Sequence, residues 1–220
     1  MEKEKILEIE NVSVEFDNHR VLDGINFSVN RGDVLAIIGP NGSGKTVLFR
    51  ALLDLIPYSG KVSWKPGIKI GYVPQKLSIE RTLPLSVKEF LKFKSKNHKE
   101  IFEALAAVGI SVGPASLSQG GPENEHHLEH HILNRRMGFL SGGELQRILI
   151  AWSLIGKPDV LLFDEPTAGI DIGGEETIYN LLHNLQQKQG LTVILISHDL
   201  NIVYKYADNV ICLNNKQICF

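Results

Sequence analysis

Gly39-Pro40-Asn41-Gly42-Ser43-Gly44-Lys45-Thr46 lies between the short apolar run Val34–Ile38 and a segment whose apolar residues recur at helical spacing, Val47, Leu48, Ala51, Leu52 and Leu55. A short apolar run bounded by turn residues reads as a strand buried on both faces. The octapeptide is therefore a strand-to-helix loop, and its pattern is G-x-x-x-x-G-K-[ST]. Glycines let the backbone curl until successive N–H groups face one anion. The helix that follows aims its N-terminal dipole at the same point. Lys45 adds a full positive charge for the β- and γ-phosphates of a nucleotide, and the Thr46 hydroxyl can ligate Mg²⁺. All eight residues, Gly39 to Thr46, are expected to bind a nucleoside triphosphate.

Outward from this loop, strands and helices alternate. Val12, Val14 and Phe16, then Ile25, Phe27 and Val29, have the period of strands, with turn residues Asp17-Asn18-His19 between them. Ile68, Ile70 and Tyr72 form another strand that ends at Pro74. The middle of the chain turns helical: Ser86 with Glu89 and Asn97 with Glu100 have the spacing of capping boxes, and Gly109 is a C-terminal stop. Residues 111–125 are rich in Ser, Gly and Pro and read as a surface loop. Leu145, Ile148, Leu149 and Trp152 make one helix face, and Ile178, Leu181, Leu182 and Leu185 another. Val160–Phe163, Thr192–Ile196 and Val210–Leu213 are further buried strands, the last opening a hairpin that turns near Asn215-Lys216. This alternation predicts an α/β fold with a parallel core sheet.

Val160–Phe163 runs into Asp164 and Glu165. The carboxyl ends of strands in an open α/β sheet face the ligand crevice, so Asp164 can reach Mg²⁺ and Glu165 can polarise a water. Leu140-Ser141-Gly142-Gly143-Glu144 opens the helix of the Leu145 stripe, and such a helix N-terminus is a second anion site.

Composition excludes several classes. Lys and Arg number 23 against 25 Asp and Glu, a net charge of -2 that argues against nucleic acid as the partner. Two cysteines exclude a disulfide scaffold and fit a reducing compartment. Across the terminal hairpin Cys212 and Cys219 can face each other, and they read as free packed thiols, with a metal-binding pair as the lesser alternative. Met1 is followed by alternating Glu and Lys, so no secretory leader is expected, and no apolar run reaches the ~18 residues of a membrane span.

Taken in order, the phosphate loop, Leu140 to Glu144, Asp164-Glu165, Gln75 after a strand and His198 after another resemble the ATP-binding subunits of ABC transporters over nearly the whole chain. The resemblance implies a P-loop NTPase fold of the ABC type: a mixed, largely parallel core sheet, an N-terminal antiparallel β subdomain and an inserted helical subdomain. It implies one ABC domain over residues 1–220, with the core and β subdomain near 1–75 and 141–220. The helical subdomain would occupy about 76–140, with a histidine-rich insertion near 111–134. It implies ATP and Mg²⁺ as cofactors, with Thr46, Asp164 and Gln75 around the metal. The catalytic set would be Glu165, His198 and Gln75. Phe16 matches the aromatic that stacks on adenine, commonly Tyr in the family. Asp171 matches a loop linking two sites, where Ala168 stands in place of a frequent Ser. Ser141, Gly142, Gly143 and Glu144 would cap the ATP of a second copy, so that two chains sandwich two nucleotides as a homodimer.

The resemblance also implies two membrane-spanning permease subunits on separate chains, a site of action at the cytoplasmic face of the cell membrane, and family members that continue beyond Phe220. Tyr72–Lys76, Thr82–Leu85 and Val210–Asn214 are similar to the branch that takes up zinc and manganese, which implies an importer served by a metal-binding extracytoplasmic protein. Within 125–131, His126, His127, His130 and His131 would form i, i+4 pairs if helical, a spacing suited to Zn²⁺; a mobile polar insertion is the plainer reading. Two alternatives to a transporter subunit remain. The first is an ABC-type ATPase of translation or repair. Against it stand the single phosphate loop, the near-neutral charge and the absence of sustained heptads between Gln75 and Ser141. The second is a regulatory module that binds nucleotide without hydrolysing it, which would be expected to lack Glu165 or His198.

Overall fold

The computed structural model describes residues 3–75, 77, 79–110, 132–165, 172–214 and 216–219. The chain divides into two compact units. One is Met1–Gln75, Pro158–Ala168 and Glu176–Phe220, and the other is Lys76–Lys157 with Gly169–Glu175.

The first unit holds two sheets. Strands β1 (Lys5–Phe16) and β2 (His19–Asn30) form an antiparallel hairpin. Its tip, Asp17-Asn18, has φ of 47° and 62°, a two-residue turn whose twist matches the flanking strands. The alternation read from the sequence holds where it meets the core: Val12, Val14, Ile25 and Val29 are buried. A third strand, β4 (Ser59–Trp64), pairs with the other edge of β1. Its sequence offers only Val62 and Trp64 as alternating apolar residues, too few to announce a strand. Gly60 there has φ of +88°, and a Cβ would lie 2.2 Å from the Asn11 carbonyl oxygen.

The second sheet has the order β5-β6-β7-β3-β8-β9. Its members are β3 (Val34–Ile38), β5 (Ile70–Val73), β6 (Val160–Asp164), β7 (Thr192–Ile196), β8 (Asn209–Asn214) and β9 (Gln217–Cys219). All pairs are parallel except β8 with β9. The expected mixed, largely parallel core with an antiparallel N-terminal sheet is therefore present. Strand β3 is flanked on both edges and buried, as a strand carrying the phosphate loop must be to hold it still. Helix α1 (Lys45–Leu52) follows that loop and packs Leu48, Phe49, Ala51 and Leu52 into the same core as Ile37, Leu162, Ile194 and Leu213.

Helix α1 ends before Leu55, which the helical stripe had included. Asp54 takes φ of 56°, and the Leu55 N–H donates to the Arg50 carbonyl while Asp54 N–H donates to Ala51. That pair of bonds is a Schellman close, and it turns Leu55 out to solvent. The terminal hairpin forms, with Cys212 opposite Cys219 in register. The free-thiol reading is corrected: Cys212 is disulfide-bonded.

In the second unit, helix α2 (Val87–Lys92) begins with a full capping box between Ser86 and Glu89. Helix α3 (His98–Ala107) packs against α4 (Gly142–Leu154). Asn97 caps α3 by accepting from the Lys99 N–H, not through the reciprocal box expected with Glu100. The Gly109 stop holds: its φ is +75°, and Ile110 N–H closes on the Leu105 carbonyl. A 3₁₀ turn (Met137–Phe139) leads into α4. Two more helices, α5 (Ile172–Gln189) and α6 (Leu200–Tyr206), complete the described elements. Residues 111–125, Ala168, Asp171, Asn215 and the four histidines His126, His127, His130 and His131 lie outside the described residues.

Candidate functional site

The phosphate loop is shaped by what its glycines permit. Gly39 leaves β3 at φ +150°, and a Cβ there would sit 2.1 Å from the Leu213 carbonyl oxygen of the neighbouring strand. Gly44, at φ +100°, begins α1 without a side-chain cap, so the first helical N–H groups stay unclaimed for an anion. Ser43 Oγ is buried without a partner, as a hydroxyl awaiting a ligand would be. Lys45 is only 6% exposed. Its Nζ donates to the carbonyls of Gly39 (2.9 Å) and Pro40 (3.0 Å). Burial lowers its pKa, and the charges of Glu165 and Asp164 oppose that shift.

The end of β6 faces this loop, as the strand-end rule requires. Asp164 is 1% exposed and accepts from the Thr46 hydroxyl at 3.1 Å. Burial pushes its carboxyl up, while hydrogen bonds from Thr46 and Tyr72 hold it back. Tyr72 is pushed up to about 12, first by burial and then by the Asp164 charge. Glu165 stands just beyond the strand in a left-handed conformation, φ 51°, with its N–H on the Ile196 carbonyl. Both its carboxylate oxygens are engaged: Gln75 Nε2 donates to Oε2, and His198 Nε2 pairs with Oε1. The structure thus brings together Lys45, Thr46, Gln75, Asp164, Glu165 and His198, from β5, β6, β7 and the phosphate loop.

A cleft of about 550 Å³ opens over these groups, lined by Asn41 to Val47 except Ser43, by Gln75, Glu165 and His198, and by Val21. Phe16 lies at the hairpin tip, 40% exposed, and is not among the lining residues. Val21 and Tyr72 escaped the sequence reading as site residues. Val21 carries no signal of its own beyond lying just past the hairpin turn. Tyr72 could have been found from its place one strand over from Asp164.

A hard divalent cation wants oxygen donors. Thr46 Oγ1 and Asp164 Oδ1 supply two, and the Gln75 amide nitrogen is spent on Glu165, which leaves its oxygen as the ligand-type atom. These residues fit Mg²⁺.

The Ser141 segment is built separately. Ser141 caps α4, its Oγ accepting from the Glu144 N–H at 3.3 Å while its own N–H donates to Glu144 Oε2 at 2.8 Å. Gly142 and Gly143 form the first turn, and Ser141 and Gly142 are exposed.

Residues 22–168 match the ABC transporter family model. This chain belongs to the ABC transporter family. It is similar to the zinc import ATP-binding protein ZnuC of Marinobacter nauticus, 40% identical over 97% of this chain and 76% of that one. The ZnuC of Vibrio cholerae is 39% identical over 97% of this chain and 75% of that one. Among solved structures, a proposed metal-chelate type ABC transporter in an inward-facing conformation superposes with a TM-score of 0.80. It is 29% identical, over 98% of this chain and 82% of that one. Family, fold and ATPase activity read from the motifs are borne out: the chain is an ABC ATPase that binds ATP. None of the described helices is long and apolar enough to cross a membrane.

Proposed function

We propose that this ABC ATPase powers the import of a divalent metal, zinc foremost, by hydrolysing ATP between two copies of itself. The observation that carries the catalytic part is the Glu165 carboxylate held between Gln75 and His198 at the mouth of the phosphate-loop cleft. The metal is inferred from relatives named for zinc import at about 40% identity.

ATP places its phosphates on the N–H groups of Gly42 to Lys45. Lys45 exchanges two backbone carbonyls for phosphate oxygens, which is a small motion of one flexible side chain. Asp164, Thr46 and the Gln75 oxygen would hold Mg²⁺, which when bound would neutralise charge on the phosphates. Glu165 takes the proton of the attacking water. His198 fixes the orientation of that carboxylate and turns toward the γ-phosphate, and Gln75 occupies its other oxygen until nucleotide and metal arrive. Phe16 offers its ring face to adenine.

Each copy also lends its Ser141 end to the ATP of the other, so triphosphate closes the pair and hydrolysis lets it open. The shift is limited by the difference in affinity between the two states. Two permease chains at the cytoplasmic face of the membrane convert that motion into transport, and an extracytoplasmic metal-binding protein delivers the ion.

Phosphate release from Mg-ATP tests the enzyme, and its absence would favour a regulatory nucleotide-binding module. Metal uptake by cells lacking this chain tests the cargo: zinc accumulation should fall while phosphate release by the purified chain persists. Unchanged zinc and manganese accumulation would contradict the importer reading.

A further inference from the structure

A capping box needs one oxygen of its glutamate, and at Ser141 the other is also taken. Arg135 Nη1 donates to Glu144 Oε1 at 2.6 Å, and its Nη2 donates to the Phe139 carbonyl at 2.8 Å. One guanidinium therefore grips the chain on both sides of Ser141: two residues before it and three residues after it. The cap bond from the Glu144 N–H to Ser141 Oγ is 3.3 Å and the Ser141 N–H bond to Glu144 Oε2 is 2.8 Å, so the loop is held through Glu144. What fixes the loop is the planar fork, with two donors at a set angle that a point-charge ammonium does not reproduce. Burial pushes the Glu144 carboxyl up. The Ser141 backbone N–H, Arg135 and the Ser141 hydroxyl overcome that and hold it below the usual range.

Arg135 is itself anchored. Its carbonyl accepts from the Val87 N–H at 3.0 Å, and the Met137 N–H donates to Leu85 at 2.8 Å. These bonds flank an antiparallel bridge between Arg136 and Ser86. Gly138 lies so close to the Arg81 backbone that a Cβ would come within 2.8 Å of its Cα. The backbone that presents the guanidinium is thus tied to the start of α2, and the guanidinium is tied to the start of α4.

We propose that Arg135 is a positioning residue for the reaction: it sets the exposed Ser141–Glu144 end in the orientation that receives the nucleotide of a second copy. The inference rests on the reading of Ser141 as that receiving residue, and it adds the group that aims it. Arg135 is not among the residues that line the cleft over the phosphate loop, so its loss should spare single-copy binding and damage closure of the pair.

The test uses the full chain carrying Glu165→Gln, which keeps ATP intact, titrated with Mg-ATP while light scattering follows the mass. Nucleotide affinity of the dilute single copy and the thermal midpoint are measured alongside. With Arg135→Met added, the protein concentration for half-association should rise about 10- to 100-fold, the scale of hydrogen bonds to a charged group, with single-copy affinity unchanged. Arg135→Lys should fall between. Arg135→Met combined with Glu144→Gln should be no worse than the more damaging of the two single changes, because both lose the shared Arg135–Glu144 contact. Association equal to the parent in Arg135→Met, with or without a lower thermal midpoint, would overturn the proposal. Should Arg135→Met fail to fold, the Lys variant decides by the same criterion. Ser141→Arg separates the two readings. If it abolishes association while Arg135→Met does not, the role of Arg135 alone falls. If Ser141→Arg associates like the parent, the receiving role of Ser141 falls and this proposal falls with it.

Discussion

His198 Nε2 meets Glu165 Oε1 across the carboxyl ends of neighbouring strands. The pairing explains why a glutamate just outside β6, in a left-handed backbone conformation, can hold one orientation: its position is set by the strand and its rotation by the imidazole. Gln75 closes the other oxygen, so both carboxylate oxygens are engaged by the two residues that the proposed mechanism places beside it.

Glu165→Gln should lower turnover by roughly 10²–10⁴, the scale of losing a general base, and leave ATP affinity within a few-fold. Phosphate release and equilibrium nucleotide binding on the same preparation check both halves. Turnover near wild type would remove Glu165 from the chemistry.

Tyr72→Phe deletes a single hydroxyl that helps to hold the Asp164 carboxyl down. The ring keeps its edge contact with Phe49, so the fold should persist. Loss of one hydrogen bond is worth about 0.5–1.5 kcal/mol. The strengthening of nucleotide binding by Mg²⁺, measured calorimetrically with and without the ion, should shrink by a similar amount, while binding without Mg²⁺ stays the same.

Much of this was legible in the residues themselves. Gly39 to Thr46 sit between β3 and α1 because strand, loop and helix signals are all local. Ser86 begins α2 with the box its sequence spells, though Asn97 and Glu100 at the same spacing do not close one, and α4 starts at the Leu140–Glu144 segment read as a helix N-terminus. What escaped depends on distant partners. Strand β4 exists because β1 has an edge to fill and Gly60 can approach Asn11. Leu55 leaves α1 because Asp54 tolerates a left-handed turn, as Asp does more readily than most residues. Tyr72 became a site residue only when β5 paired with β6. Compartment chemistry alone carries no signal of the disulfide at Cys212.

Gly60→Ala tests the β4 account. With φ +88° and an Asn11 carbonyl 2.2 Å from the new Cβ, the variant should lose roughly 1–3 kcal/mol of stability in urea unfolding. Nucleotide affinity of whatever remains folded should be unchanged. A stability equal to the parent would show that β1 and β4 separate freely.

Glu144 links pH to stability. Its carboxyl is held below the usual range in the folded chain, so its contribution is complete above about pH 4.3, the ordinary glutamate value. That contribution is lost as pH falls through the lower folded value. Glu144→Gln should therefore melt with a shallower dependence on acid below that point. Parallel acid curves for the two proteins would mean that Arg135 and Ser141 do not stabilise the charged form.

In the proposed mechanism one copy owns half of a reaction centre. Phosphate release per chain, measured at saturating Mg-ATP over a wide range of protein concentration, tests it directly. The account predicts a specific rate that climbs with concentration, saturates, and vanishes at every concentration in Ser141→Arg. A specific rate that stays constant on dilution, down to chains that sediment as single copies, would contradict it.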